Sequence, residues 1–266
     1  MNSFSEITII HKDGEKIQSV SIDLIGEEPL SIRIDGKPYS VVMRTPGDEI
    51  AHAAGFCLTE GIADFPEDIT ALACCDGSDS NVVTVTLTET QRHKIAGYLD
   101  RRGFISQTSC GICGKELVQD IMTAIVPISD ETRFNISRAV SCLEDFSRHQ
   151  PLRRKTRATH AALIIGAGTE VLSSAEDVGR HNAVDKAIGK LFLDHSLSLA
   201  KGLVLSSRIS YELVQKAARA GIPVILAVSR PTSLAVDLAS RLNMTLACLA
   251  PKTGLYVFCG EQRLIA

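Results

Sequence analysis

Residues 203–228 read LVLSSRISYELVQKAARAGIPVILAV, and this stretch decides the fold class. The apolar runs at 203–205 and 223–228 have the length and composition of buried strands. Residues 210–220 between them are predicted to form a helix, and Gly221 is a typical residue just after a helix end. A strand, a helix and a second strand in this order predict two parallel strands joined by a crossover helix.

The rest of the second half repeats this alternation. Further strands are predicted at 161–165, 170–172, 245–249 and 255–258, and further helices at 137–149, 180–192 and 233–242. We expect Ser137 to cap the first of these helices. Strands that alternate with helices predict a mostly parallel sheet with helices on both faces.

The first hundred residues have a different pattern, in which strands follow one another directly. Alternating apolar residues between 7 and 42 predict strands, with a two-residue hairpin turn at Asp35-Gly36. Asp48 is a candidate cap for the next helix. The remaining elements of this small α+β unit are predicted at 48–60, 82–87 and 90–98.

These patterns predict an α/β fold with two domains. The smaller, α+β domain is expected at 1–128, with the CxxC loop near its end, and the α/β domain at 129–266. The boundary lies near Pro127, because Pro127 and Asp130-Glu131-Thr132 interrupt the helical pattern of the residues that precede them.

Composition excludes several classes of partner. The chain has 266 residues, a net charge of −3, 5% aromatic residues and no Trp, so neither a basic patch nor a base-stacking surface for nucleic acid is expected. It has no apolar run of about 18 residues that could cross a membrane, and the N-terminus does not resemble a signal peptide. We therefore expect a soluble, cytoplasmic protein that binds neither nucleic acid nor membrane.

Residues 109–115, with the sequence SCGICGK, place two thiols three positions apart. Such a CxxC can carry sulfur, exchange disulfides or supply half of a zinc site. The zinc deaminases combine HxE with PCxxC, but here His52 and His160 are each followed by two alanines, and no proline precedes Cys110. A second CxxC is absent, and no strand is predicted directly before this one, as a thioredoxin-like site would require. A reactive thiol loop with Cys110, Cys113 and Lys115 is therefore favoured over an incidental pair of cysteines.

Polar loops follow three of the predicted strands. Residues 176–186, EDVGRHNAVDK, combine Arg180, His181 and Asn182 at a helix start, where backbone N–H groups favour anions. The structural alternative is that these residues cap the helix and form an ion pair such as Asp177–Arg180. Residues 206–210 and 228–233 also bring hydroxyls and an arginine to strand ends, which suits a phosphorylated or nucleotide-like ligand.

The chain resembles one family, the formate dehydrogenase accessory sulfurtransferases called FdhD. The EDVGRHNAVDK run is the most specific match, far more so than the CxxC. The other matching segments are MRTPGD at 43–48, Gly55-Phe56 with Glu60-Gly61, SCGICGK at 109–115, HAA at 160–162 and PTSLA at 231–235.

This resemblance implies a sulfur relay. A cysteine desulfurase would load Cys110 with a persulfide, with Cys113 as a second catalytic thiol of open role. The sulfur would pass to the molybdenum or tungsten bis-molybdopterin guanine dinucleotide cofactor of formate dehydrogenase. The protein would hold no cofactor or metal of its own, since the molybdenum cofactor is its acceptor substrate.

The resemblance also implies a fold and binding residues. The C-terminal domain would be a cytidine-deaminase-like three-layer domain without zinc, and relatives of this fold often form homodimers. The residues expected to bind the acceptor cofactor are Arg180, His181, Asn182, Ser207, Arg208, Ser229, Leu249, Ala250, Pro251, Lys252, Thr253 and Gly254. The chain departs from the family pattern at Ala250-Pro251-Lys252, since an arginine is expected soon after Leu249, and at Ser207, where glycine is usual.

Two alternatives belong to other functional classes. One is a chaperone that binds the molybdenum cofactor without sulfur chemistry, in which Cys110 and Cys113 are dispensable. The other is a zinc hydrolase of the deaminase type, which metal analysis would identify.

Overall fold

The computed structural model describes residues 3–74, 81–102 and 125–266. The N-terminal part holds a two-stranded ribbon and a four-stranded sheet with two helices. The ribbon consists of β1 (Phe4–Asp13) and β2 (Lys16–Ile25). The sheet has the order β4-β3-β6-β5, and the elements are β3 (Glu28–Ile34), β4 (Lys37–Arg44), α1 (Glu49–Thr59), β5 (Ile69–Cys74), β6 (Val82–Leu87) and α2 (Glu89–Arg102). Asp35 and Gly36 form the predicted hairpin turn, both with positive φ.

The second half is built on a six-stranded sheet. Its elements, in chain order, are β7 (Phe134–Asn135), α3 (Ile136–Glu144), α4 (Pro151–Thr156), β8 (His160–Ile165), β9 (Val171–Asp177), α5 (Arg180–Leu193), β10 (Gly202–Leu205), α6 (Tyr211–Arg219), β11 (Val224–Ala227), α7 (Ser233–Arg241), β12 (Thr245–Leu249), β13 (Leu255–Cys259) and β14 (Leu264–Ile265). The sheet order is β13-β12-β11-β10-β8-β9, and β7 pairs separately with β14.

The predicted crossover units are confirmed, but the prediction of a mostly parallel sheet is wrong. β10, β11 and β12 are parallel neighbours, as the alternation with α6 and α7 requires. The other three pairings, β10–β8, β8–β9 and β12–β13, are antiparallel. A tight turn from Gly166 to Glu170 joins β8 to β9 and leaves no room for a crossover helix.

The two faces of the six-stranded sheet pack against different helices, because alternate strand residues point to opposite faces. Leu163 and Val204 lie in a core cluster with Phe146, which follows α3. Ile164 and Leu205 lie in a larger cluster with α1, α5, α6 and α7. The predicted helices on both faces are thus confirmed, and the sheet is the middle of three layers.

Two predicted helix caps are wrong. Asn135, not Ser137, caps α3, and its side chain accepts a hydrogen bond from the Arg138 N–H at 3.3 Å. Asp48 makes no side-chain cap on α1, because its backbone is left-handed with φ 60°. Its carboxylate instead lies 2.8 Å from the Lys190 ammonium of α5.

Helices α1 and α5 cross in backbone contact. A Cβ on Gly55 would lie 1.9 Å from the Asp185 carbonyl oxygen, and a Cβ on Gly189 would lie 1.8 Å from the Ala51 carbonyl oxygen. Glycine is therefore required on both helices for this approach. The larger core cluster contains both Ile32 of β3 and Leu203 of β10, and the domain boundary at 128 stays a prediction.

Within the described ranges, every helix is too short or too polar to cross a bilayer.

Candidate functional site

The structure places the predicted binding loops at one edge of the six-stranded sheet. The parallel strands β10, β11 and β12 end at this edge. β8 is antiparallel to both β10 and β9, so β9 runs in the same direction as β10 and also ends there. The loops that begin at residues 178, 206, 228 and 250 therefore lie in a row. Four strand spacings separate β9 from β12, so the row is about 19 Å long.

Asp177, the last residue of β9, is fully buried and organises one end of this row. Its Oδ2 accepts hydrogen bonds from the Thr45 N–H at 3.0 Å and pairs with the Lys186 ammonium at 2.7 Å. Its Oδ1 accepts from the Gly179 N–H at 2.8 Å and from Asn182 Nδ2 at 2.9 Å. The partner of Asp177 is thus Lys186 and not Arg180, and four donors satisfy one carboxylate.

The same network joins this loop to the N-terminal part of the chain. Lys186 Nζ donates to the Thr45 carbonyl oxygen at 2.7 Å, and Asn182 Nδ2 donates to the Met43 carbonyl oxygen at 2.8 Å. The Val178 N–H donates to Thr45 Oγ1 at 3.1 Å. Asn182, a predicted cofactor ligand, is therefore buried and engaged inside the protein, and its role toward a ligand stays a prediction.

Asp185 belongs to a second buried network one turn further along α5. The Lys216 ammonium lies 2.9 Å from each Asp185 carboxylate oxygen, and Thr59 Oγ1 donates to Oδ1 at 2.8 Å. Burial raises the pKa of Asp185, and the positive charge of Lys216 opposes that rise. The buried residues of EDVGRHNAVDK thus connect α5 to α1, α6 and residues 43–48. The sequence alone does not distinguish these structural residues from residues that would contact a ligand.

Arg180 and His181 are only half buried at the start of α5. His160 begins β8 and pairs with Asp177 of β9 in the sheet register. Burial lowers the pKa of His160, and the nearby charges of Arg180 and Arg153 lower it further. Among the described residues, the buried Nε of Arg180 has no hydrogen-bond partner. This end of the row therefore holds the Arg180 cation with an unpaired N–H donor, which suits an anion.

Glu212 of α6 places a negative charge beside His181. Its carboxylate Oε2 lies 3.6 Å from His181 Nε2. Interaction with the His181 ring lowers the pKa of Glu212 to about 2 despite partial burial. This pair is not evident from the sequence, because the two residues lie on different helices and only the fold brings them together.

Because of the contact between Glu212 and His181, we expect the free energy of unfolding to fall in acid. Because the pKa of Glu212 is lower in the folded protein than in the unfolded chain, its contribution is complete above about pH 4.5 and is lost as the pH falls toward 2. The half-exposed pair is screened by solvent, so we expect about 1 kcal/mol. In urea unfolding at pH 6 and pH 3, Glu212→Gln should lose less stability on acidification than the wild type, whereas Glu261→Gln, at an exposed position, should behave like the wild type. Equal losses for Glu212→Gln and the wild type would contradict the prediction.

The middle of the row is formed by the loops after β10 and β11. They are joined by a bridge between Ile209 and Pro231 and by a 3.0 Å hydrogen bond from the Thr232 N–H to the Ile209 carbonyl oxygen. Ser207 is buried, and its hydroxyl donates to the Arg208 carbonyl oxygen at 3.0 Å. Arg208, Ser229 and Arg230 are exposed there. The two loops thus present two guanidinium groups at neighbouring strand ends.

Residues 250–254 form the far end of the row. The Ala250 N–H donates to the Gly254 carbonyl oxygen at 3.0 Å, and Gly254 has φ 81°, so the loop is a closed turn. Pro251, Lys252 and Thr253 are exposed, whereas Leu249 and Ala250 are half buried. The Arg230 guanidinium lies 5.6 Å from the Tyr256 ring centre, which ties this turn to the loop after β11.

Cys110, Cys113 and Lys115 lie outside the described residues. Burial raises the pKa of the thiols of Cys57, Cys142, Cys248 and Cys259, which therefore stay protonated at neutral pH. Cys57 and Cys248 are buried, and Cys142 and Cys259 are half buried. In the described part of the chain, no three His, Cys, Asp or Glu side chains are grouped closely enough to hold a metal ion.

Comparison with known proteins gives consistent results. The sequence profile of the FdhD/NarQ family matches residues 25–265. The sulfur carrier protein FdhD of Streptomyces coelicolor is 39% identical over 251 residues, which cover 91% of this chain and 88% of that protein. The sulfur carrier protein FdhD of Bordetella bronchiseptica is 35% identical over 248 residues, with 92% and 88% covered.

A solved structure matches the whole fold. It is a crystal structure assigned as a formate dehydrogenase accessory protein from Desulfotalea psychrophila, with a TM-score of 0.78 and 22% identity, covering 99% of this chain and 100% of that one. The fold and the row of loops define a mixed α/β protein whose strand-end loops carry arginines and N–H donors that suit an anion. The chain belongs to the FdhD/NarQ family, and the resemblance drawn from its sequence motifs is confirmed.

Proposed function

We propose that this protein is a cytoplasmic sulfurtransferase that carries sulfur for the maturation of formate dehydrogenase. The observation that carries the proposal is family membership over residues 25–265, a range that includes the CxxC, together with relatives named sulfur carrier protein FdhD. The loop row at the sheet edge supports it, because an acceptor with phosphate groups needs cations and N–H donors.

In this proposal the sulfur donor is a cysteine desulfurase that carries a persulfide. The thiolate of Cys110 attacks the terminal sulfur of that persulfide, the S–S bond of the donor breaks, and the donor cysteine leaves as a thiolate. A persulfide then exists on Cys110. Lys115 favours the thiolate form through its positive charge, and Cys113 is the second thiol beside it.

The acceptor substrate is the bis-molybdopterin guanine dinucleotide cofactor with molybdenum or tungsten. Arg180 and Arg208 would contact its phosphate groups, since both residues lie just after the ends of β9 and β10. His181, Ser207, Ser229 and the turn at 249–254 would complete the binding surface, and Asn182 would act by positioning the start of α5. The row of loops is long enough for an extended dinucleotide.

The proposal also covers the domain architecture. The three-layer arrangement around β8–β13 supports a cytidine-deaminase-like domain at 129–266, with an α+β domain at 1–128. A homodimer is compatible with this arrangement, and sedimentation of the purified protein would measure it.

Cysteine 110 provides the direct test. After incubation with a cysteine desulfurase and cysteine, mass spectrometry should find one added sulfur on the wild-type peptide that contains Cys110 and Cys113. Cys110→Ala should lose that adduct and lower formate dehydrogenase maturation by at least about a hundredfold, because the nucleophile of a covalent transfer is removed. The control Cys142→Ala should keep both the adduct and maturation.

The same experiment distinguishes the alternative class. If Cys110→Ala and Cys113→Ala both support normal maturation, the protein is a cofactor-binding chaperone and the sulfurtransferase proposal is wrong.

A further inference from the structure

A polar cavity lies at the edge of the six-stranded sheet opposite the loop row. It has a volume of about 190 Å³ and lies beside the start of β12, whereas the loop row lies where that strand ends. Its walls are formed by residues 129–131 and Arg133, by Asn243 in the turn before β12, and by Gln262 and Arg263 just before β14. All of these residues are polar or charged. An apolar molecule would bury such groups without partners, so the cavity suits a hydrophilic ligand.

Hydrogen bonds between distant parts of the chain fix the walls of this cavity. Arg263 Nε and Nη2 donate to the Asp130 carbonyl oxygen at 3.1 and 2.8 Å. Asn243 Nδ2 donates to the Ile128 carbonyl oxygen at 2.8 Å. The Asp130 carboxylate lies 2.9 Å from the Lys201 ammonium, which balances its charge. The cavity is therefore preformed, as small-ligand sites usually are.

Arg263 brings an unsatisfied donor to the cavity. This residue is only 3% exposed, and among the described residues its buried Nη1 has no hydrogen-bond partner. The guanidinium group stays charged in proteins, and a buried charged donor without an acceptor is costly. A ligand with a carboxylate would supply the missing acceptor in a charge-assisted hydrogen bond. Arg133, at the exposed wall, adds a second cation for the same group.

The acids of the cavity favour a zwitterion over a simple anion. Burial lowers the pKa of Arg263, and the negative charges of Asp130 and Glu131 oppose that change, so both charges act on the guanidinium group. Lys201 balances Asp130, but Glu131 would repel an anion placed on Arg263. A molecule with an ammonium next to its carboxylate avoids this repulsion, because the ammonium pairs with Glu131.

The volume of the cavity limits the size of the ligand. A water molecule takes up about 30 Å³ in the liquid, so the cavity has room for about six non-hydrogen atoms. This is the size of a small α-amino acid such as alanine or serine, whereas a nucleotide is far too large.

We propose that this cavity binds a small α-amino acid, with its carboxylate on Arg263 and Arg133 and its ammonium on Glu131. The side-chain amides of Asn243 and Gln262 line the same cavity and report on its occupancy. The site lies away from the loop row, and the inference does not depend on the proposed function.

The test is a titration of the full-length, ¹⁵N-labelled protein followed by NMR at constant ionic strength. The probes are L-serine, acetate and inorganic phosphate, and the signals are the side-chain amides of Asn243 and Gln262. L-serine should shift both signals in a saturable way, with a Kd of about 1 mM or lower. Acetate should bind about fivefold more weakly, because it lacks the ammonium that pairs with Glu131.

Variants at exposed positions keep the test independent of folding, since Arg263 itself is buried. Glu131→Gln should weaken L-serine about fivefold and strengthen acetate, because the charge that attracts one and repels the other is removed. Arg133→Gln should weaken both probes. The control Glu144→Gln, an exposed acid of α3, should leave both affinities unchanged.

Two results would overturn the inference. If L-serine up to about 20 mM shifts neither amide signal, the cavity does not bind amino acids. If acetate or phosphate binds the wild type as tightly as L-serine does, the cavity is a site for simple anions and the role given to Glu131 is wrong.

Discussion

Replacement of Asp177 by Ala should destabilise the protein by about 3–5 kcal/mol, because it leaves the buried Lys186 ammonium without its counter-ion. The N–H groups of Thr45 and Gly179 would also lose their acceptor. Urea unfolding followed by circular dichroism measures the effect. The exposed acid Asp237 gives a control, and Asp237→Ala should change stability by no more than about 0.5 kcal/mol.

A double substitution tests whether the charge, and not only the lost volume, causes this effect. In Asp177→Ala with Lys186→Met, no unpaired ammonium remains. The double variant should therefore be more stable than the sum of the single changes by about 1–3 kcal/mol. Strict additivity, or a cost for Asp177→Ala of less than about 1 kcal/mol, would contradict the role given to this pair.

Gly189→Ala should also destabilise strongly, by about 3 kcal/mol or more. In an exposed helix this change would stabilise by about 1 kcal/mol, because alanine is the better helix former. Here the new Cβ would lie 1.8 Å from the Ala51 carbonyl oxygen and 2.8 Å from the Gly55 nitrogen, and neither backbone atom can move without its helix. Steric overlap therefore reverses the sign, and thermal or urea unfolding measures it.

Two further variants test the helix crossing. Lys190→Ala, one residue along α5, removes the half-exposed pair with Asp48 and a 2.9 Å hydrogen bond to the Ser174 carbonyl oxygen. It should cost about 1 kcal/mol, well below the cost of Gly189→Ala. Gly55→Ala with Gly189→Ala should cost less than the sum of the single changes, because helices separated by one methyl group accommodate the second. If Gly189→Ala is as stable as the wild type, α1 and α5 do not cross in this way.

Local sequence pattern predicted the helices and strands of the second half well. The starts of α5 and α7 were predicted to the residue, since long apolar runs and polar loops separate the elements clearly. Sheet direction was harder to predict. The turn from Gly166 to Glu170 is too short for a crossover, and a mostly parallel sheet was inferred from the elements without weighing this length.

The loops of the candidate site could be predicted from the sequence, but the role of each side chain in them could not. Within EDVGRHNAVDK, sequence alone does not show which side chains point inward. Asp177 and Lys186 form a buried ion pair with each other, and Asp185 forms one with Lys216 of α6. The positions of Arg153 and Glu212 were missed for the same reason, because neither lies near the motif in the sequence.

The crossing of α1 and α5 has a consequence for synthesis of the protein. Lys186 of α5 and Thr45, which precedes α1 by four residues, form a hydrogen bond across 141 positions of the chain. Helix α1, whose residues from Ala51 to Thr59 are all buried in the native state, therefore leaves the ribosome long before its partner exists. Contacts of such sequence separation form late and slow folding. We expect the nascent N-terminal half to expose an apolar helix during translation, which is the kind of surface that chaperones bind.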